Sequence, residues 1–258
     1  MKTRSFKFIS FLMTLAILFS LIPAAAVSAA GLDPVGLKNI SIKVKNSDAY
    51  YTDGVNMYCL AGEKPEISAK ITGLTEGNQY HFAVELYDQE GYYVTGDSYF
   101  NMSGDPYRIV LPKLSAGRYT IKYTFFGRDI NDKSFYYSIF VMDKNAYNFC
   151  KNLFTAFDVN PGEKNKVYSY AYGLTADNMN ARSAIRLAYE KSKLSAVSDS
   201  YFVESLYKGI LQRDSDKGGY AYWMNEIKKN RSRESILSSF VNSKEFENDI
   251  CKNLNIPW

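Results

Sequence analysis

The chain is poor in the residues from which most active sites are built. It holds one histidine, three cysteines and two tryptophans in 258 residues. A single histidine cannot furnish a histidine-based metal centre, and it leaves nucleophile chemistry with one candidate base. No G-x-S-x-G elbow occurs either. His81 lies in an alternating run of the β type and falls on its polar face, which reads as a solvated side chain. The 27 acids guarantee that some pair lies close, but no pair stands out as a glycosidase dyad. The sequence therefore assigns no catalytic residue, no metal ligand and no cofactor, and the chain reads as a non-enzyme.

Charge of one sign is also scarce. The net charge is +4, and Lys2, Arg4 and Lys7 account for most of it, so residues 31–258 are close to neutral. A near-neutral chain has no long-range field to gather nucleic acid. Long apolar runs are missing beyond residue 22, so no integral membrane segment is expected outside the leader. No cysteine follows the leader's apolar run and no LPxTG-type sorting tail closes the chain, so neither lipid nor covalent wall anchoring is expected. The leader itself is explicit. A basic start, the run "FISFLMTLAILFSLI" (8–22), Pro23 and the small residues "AAAVSAA" make residues 1–30 a secretory signal peptide, cleaved after Ala29 or Ala30. The mature chain is expected outside the cell or at the cell wall, with an extracellular protein or glycan as partner.

Cysteine is both rare and odd in number. Cys59, Cys150 and Cys251 leave at least one thiol unpaired in a secreted chain. Cys150 and Cys251 open and close the second half, both in the sequence "CKNL", and a bridge between them is one reading. A buried free thiol in the apolar series Cys150, Leu153, Phe154, Phe157 is the other, with Cys59 free in either case.

What is abundant is apolar and aromatic: 46% hydrophobic and 16% aromatic residues exclude disorder. From about residue 36 to 143 the period is two. Ile40, Ile42 and Val44 form one apolar face, Tyr80, Phe82, Val84 and Leu86 another, and Tyr119, Ile121, Tyr123 and Phe125 a third. Phe135, Tyr137, Ile139 and Val141 form a fourth, and turn signals such as "TEGN", "DQEG", "SGDP" and "RDIND" separate the runs. This spacing predicts an all-β antiparallel sandwich over 31–143. "LSAGRYTIKYTF" (114–125) resembles the late-strand pattern of secreted bacterial immunoglobulin-like modules, which implies an Ig-like domain.

After Asp143 the period becomes helical. Phe149, Cys150, Leu153, Phe154 and Phe157 recur at helix spacing, and so do Phe202, Val203, Leu206, Tyr207 and Ile210. "FCKNLFTAF" (149–157) echoes "FVESLYKGI" (202–210), and "ARSAIRLAYEKSK" (181–193) echoes "SRESILSSFVNSK" (232–244). Two stacked repeats follow, a degenerate one at 146–196 and a second at 198–258, so the second domain is an all-α helical repeat bundle.

The second repeat carries a longer pattern, F-V-x-x-L-Y-x-x-x-L-x-R-x-x-D-x-x-G-x-x-Y-W, then S-R and S-x-E-F. Arg213, Asp216, Gly219, Trp223, Phe240, Glu245 and Phe246 fall on it. Residues 202–246 thereby resemble the domain-of-unknown-function family 4214. The resemblance implies a compact helical bundle akin to phycobilisome linker domains, occurrence in secreted and surface-layer proteins of bacteria, and no established activity. Within the pattern, Asp214 and Asp216 beside Gly218 and Gly219 raise the question of a calcium loop. An EF-hand needs oxygen ligands at alternate positions and a closing bidentate glutamate. Counted from Asp214, Gly218 and Tyr222 fall on ligand positions and Glu226 comes one residue late. The residues fit a turn better, with Asp216 capping a helix from Lys217, the glycines admitting a neighbouring helix, and Trp223 plugging the core.

Tyrosine is the unusual component, with 22 residues, clustered in "AYY" (49–51), "GYY" (91–93), "DSYF" (97–100) and "SFYY" (134–137). Such clusters suit half-buried strands, and they also suit a surface that stacks on sugars or a protein partner.

Overall fold

The computed structural model describes residues 35–74, 80–100, 107–127, 130–163 and 165–258. The leader 1–30, the turns "TEGN" and "SGDP" and the start of "RDIND" lie outside the described residues.

Alternation does build strands: β1 (Gly36–Val44), β2 (Tyr51–Thr52), β3 (Asn56–Leu60), β4 (Pro65–Thr72), β5 (Tyr80–Tyr87), β6 (Tyr93–Phe100), β7 (Tyr107–Val110), β8 (Gly117–Gly127) and β9 (Ile130–Met142). In β4 and β5 each inward residue is buried and each outward one is not, so Ile67, Ile71, Phe82, Val84 and Leu86 point into the core. The strands form a three-stranded sheet, β1-β4-β7, and a six-stranded sheet, β2-β3-β9-β8-β5-β6. One apolar cluster draws on both sheets, with Ile42, Ile67 and Ile109 from the first and Phe82, Ile121, Tyr123 and Ile139 from the second.

The expected all-antiparallel, immunoglobulin-like sandwich is corrected here. β3 runs parallel to β9, with Met57 opposite Ile139 and Cys59 opposite Val141, so the larger sheet is mixed. Period-two patterning reports which residues share a face; it carries no information on which strand lies beside which, or in which direction. Met57, Cys59, Ile139 and Val141 all turn inward, and that face match is satisfied by a parallel neighbour as well as by an antiparallel one.

β9 leads into helix without a spacer. Asp143 Oδ1 accepts from the amides of Asn145 and Ala146 at 2.7 and 3.1 Å and caps α1 (Lys144–Ala156). The Asp143 amide donates to Thr175 Oγ1 at 2.9 Å, tying the junction to α2 (Lys166–Thr175). Then come α3 (Ala181–Glu190), α4 (Asp199–Ile210), α5 (Lys217–Lys228), α6 (Arg233–Val241) and a π-helical turn (Phe246–Lys252). α1 packs on α2 and α4, and α4 packs on α5 and α6. The α1–α4 approach is close: a Cβ at Gly209 would lie 2.8 Å from the Phe157 ring.

The two halves meet through aromatic side chains. Tyr51 stacks on Tyr168 at 5.1 Å, Tyr58 on Phe140 at 5.1 Å, and Phe140 meets Tyr172 edge-on at 4.7 Å. Thus α2 covers the outer face of the six-stranded sheet at its β2-β3-β9 edge. Leu60 and Met142 from the strands belong to the helical core.

Candidate binding surface

At the opposite edge of that sheet none of the described elements covers the outer face. β5 and β6 form a hairpin whose turn is tied from within: Asp88 Oδ1 accepts from the amides of Glu90 and Tyr92 at 3.1 and 2.8 Å. Gly91 sits at φ 87°, where a side chain would be strained. Tyr92, Tyr93 and Val94 follow directly and are 72%, 61% and 37% exposed. Tyr93 meets Tyr87 edge-on at 6.1 Å and lies over Gly96, where a Cβ would come within 2.9 Å of its hydroxyl. Beside them, Lys122 pairs with Glu85 at 3.2 Å, and Tyr136 on β9 is 54% exposed. Asp97 accepts from the Tyr99 hydroxyl at 2.6 Å. The result is a firm hairpin displaying phenol rings among carboxylates.

The tyrosine clusters therefore divide. "GYY" is exposed at the hairpin, whereas Tyr51 of "AYY" is spent on the seam with α2. Tyr137 of "SFYY" packs against buried Tyr123 at 5.9 Å. Burial raises the phenol pKa of Tyr58 to about 12 and pushes those of Tyr107 and Tyr123 up as well.

A cleft of about 390 Å³ opens between α1 and the start of α2, lined by Tyr147, Lys151, Phe154, Asp158, Val167 and Tyr168. Lys151 lies 5.8 Å from the Tyr147 ring centroid and 3.6 Å from Asp48. His81 is on the outer sheet face, as its register implies, but it is half-buried against Phe126 at 5.4 Å rather than the solvated side chain expected.

The structure spreads the residues of the second repeat over one scaffold. Asp216 caps α5, its Oδ1 accepting from the Gly219 amide at 2.8 Å, and that bond lowers the carboxyl's pKa. Arg213 grips Glu245 with two bonds, at 2.6 and 3.2 Å, and lies 4.9 Å over Tyr207. Gly219 is needed because a Cβ there would collide with the Tyr207 hydroxyl; beside Gly218 the nearest atom is Asp216 Oδ1 at 3.4 Å. Only one of the two glycines admits the neighbouring helix. Trp223 is half-buried and tilts against Phe240 at 5.1 Å, so it roofs the core, while Phe240 and Phe246 fill it. Asp214 faces Lys208 at 3.6 Å and Asp216 faces Arg213 at 3.5 Å, which leaves the would-be calcium loop with neutralised acids. Among the described residues no cluster of three or more His, Cys, Asp or Glu is placed to hold a metal.

Cys150 and Cys251 are buried free thiols, as is Cys59, so the bridge that was one reading of the sequence is not formed here. The sequence pattern names Arg213 and Glu245 without joining them, and the clasp between them spans 32 residues. The pattern also gives Arg233 no role. Arg233 donates to the carbonyls of Leu194 and Val197, both at 2.6 Å, and to Asp199 at 2.7 Å, so it holds the turn into α4. The signal for both was in the S-R and S-x-E-F pattern.

No curated protein matches the chain. Among solved structures, a conjugative transposon lipoprotein from Bacteroides eggerthii DSM 20697 is 13% identical, over 39% of this chain and 95% of its own, with a TM-score of 0.25. Neither finding bears out the immunoglobulin-like resemblance of residues 31–143. At the helical end, the model of the family described as Domain of unknown function (DUF4214) matches residues 183–250, from within α3 to the π-helical turn, and this region is what the chain shares with that family.

Proposed function

We propose that this is a secreted, non-catalytic binding or assembly protein, with the β half as recognition module and the helical repeats as mount. The observation that carries the reading is the β5–β6 hairpin, which exposes Tyr92, Tyr93 and Val94 side by side on a turn held by Asp88. Contiguous exposed apolar side chains favour a partner, and phenol rings offer contact area at little entropic cost. A hairpin already ordered loses less freedom on binding. Export rests on the leader, residues 1–30. The cleft between α1 and α2 supports a second reading, an accessory part of a secreted carbohydrate-active system, because half-buried Tyr168 lines it beside Lys151 and Asp158. The test is binding of purified residues 31–258 to isolated cell wall. Saturable binding that survives EDTA and falls at least tenfold in Tyr92→Ser is expected. Turnover of wall or plant polysaccharide by the pure protein, abolished by changing one carboxylate, would overturn the non-catalytic reading.

A further inference from the structure

We infer that copies of the mature chain associate head to tail, the β5–β6 hairpin of one copy seating on α5 and the turn after it in the next. The inference rests on the binding reading above and names the partner of the same hairpin.

The acceptor is the least covered helix. α5 buries none of its residues, whereas α1, α2, α3, α4 and α6 each bury at least four. Tyr220, Trp223, Met224 and Ile227 are only partly buried, and Tyr222, edge-on to Trp223 at 4.9 Å, is 52% exposed.

The repeat shows what covers such a helix. The two helical echoes pair α1 with α4 and α3 with α6, so α2 holds in the first repeat the place that α5 holds in the second. In the first repeat that helix turns Tyr168 and Tyr172 onto strand aromatics, Tyr51, Tyr58 and Phe140. In the second repeat no strand among the described residues packs on it. A tyrosine-bearing strand pair from another copy would complete the equivalent contact.

Charge selects which strand pair. Residues 84–99 hold Glu85, Asp88, Glu90 and Asp97 and no lysine or arginine; Glu85 is paired with Lys122 and Asp97 lies opposite inward Val84, which leaves Asp88 and Glu90 at the tip. Residues 217–233 hold five cations, of which Lys229 and Arg231 pair with Glu226 and Arg233 with Asp199, which leaves Lys217 and Lys228 on α5. The chain is nearly neutral outside the leader, so this opposition is local, and two such patches attract while like patches repel. Within one molecule they are kept apart. α5 packs on α4, α4 on α1, and α1 on α2, which meets the sheet at its far side from β6. Four strand spacings, roughly 19 Å, separate β6 from β3. A contact between two different patches does not close on itself as a two-fold dimer does; it propagates into chains or rings.

The test changes charge at exposed residues for which no ion pair is seen among the described residues. Gln89→Lys with Glu90→Lys takes the hairpin tip, residues 88–94, from −2 to +1, and Lys217→Glu with Lys228→Glu takes α5 itself from +1 to −3. By sedimentation velocity, the wild-type protein should show concentration-dependent association at low salt that fades as salt rises. Each reversed variant alone should be monomeric, with an unchanged melting curve. An equimolar mixture of the two should associate again, as should the variant carrying all four changes. Wild-type protein that stays monomeric across the concentration series overturns the inference, and so does a mixture that fails to restore association. Wall binding by a strictly monomeric wild-type protein would sink the self-association while leaving the binding reading standing.

Discussion

Gly218 and Gly219 begin α5 together, and one Cβ separates their fates. Replacing an exposed helical glycine by alanine ordinarily stabilises by up to about 1 kcal/mol. At Gly218 the space is ordinary, so Gly218→Ala should raise the melting temperature slightly. At Gly219 the added methyl meets the hydroxyl of Tyr207, whose ring is buried and held between Phe240 and Arg213. Gly219→Ala should therefore cost about 1–3 kcal/mol as overpacking, and a melting temperature at or above wild type would refute it. The three thiols give a second prediction. Burial pushes the pKa of Cys59 and Cys251 up to about 12 and that of Cys150 up as well. Unfolded thiols ionise near pH ~8.5. Each buried thiol thus contributes stability that is complete below that pH and is lost as pH rises towards the folded value. Stability should fall above that point by up to about 1.4 kcal/mol per pH unit for each thiol, read from urea midpoints. A thiol reagent should find no reactive cysteine in the native protein and three after denaturation; two protected in the denatured, unreduced protein would mean a bridge. The Asp216 cap was legible because its partner is three residues on. The Arg213–Glu245 clasp was not, because its partner comes from another element.

At the level of elements, the repeat is written most clearly in the helix ends. α1 and α4 each end in a residue with positive φ, Asp158 at 46° and Gln212 at 53°, and so do α2 and α5, with Asp177 at 53° and Asn230 at 62°. α3 and α6 start on side-chain caps, Asn180 and Ser232, whose acceptors take the amides of Ser183 and Ser235. The two sets of helices differ before their middle members: Asp216 caps α5, whereas Asn165 before α2 makes no side-chain cap bond and α2 packs on β9. The change of period at 141–145 suggested a boundary, and by itself suggests easy cleavage there. Met142 is fully buried, however, and Asp143 is bonded on both sides. Limited proteolysis should spare 141–147; early cleavage in that window would show that the junction opens.

For the molecule as a whole, the seam decides cooperativity. Leu60 and Met142 lie in the helical core, and Phe140 bridges Tyr58 and Tyr172. Far-UV and near-UV circular dichroism should report one coincident unfolding transition, and two separated transitions would show that the halves are energetically independent. Phe140→Ala should cost about 3–5 kcal/mol, as a buried aromatic does, and should destabilise both halves together. Among the described residues no helix is long and apolar enough to cross a membrane.

By itself the sequence determined the strands and helices, the residue near which one gives way to the other, and the caps and turns of the second repeat. These depend on periodicity and on partners a few residues away, and both are local. Only the tertiary structure decided that β3 lies parallel to β9, that α2 rather than solvent covers Tyr51 and Tyr58, and that Tyr92 and Tyr93 of the β5–β6 hairpin are left in the open. An alternating strand presents the same pattern to any neighbour. Which aromatics are buried and which are displayed follows from the path of the whole chain, and Tyr92 and Tyr93 are displayed because that path leaves the hairpin uncovered.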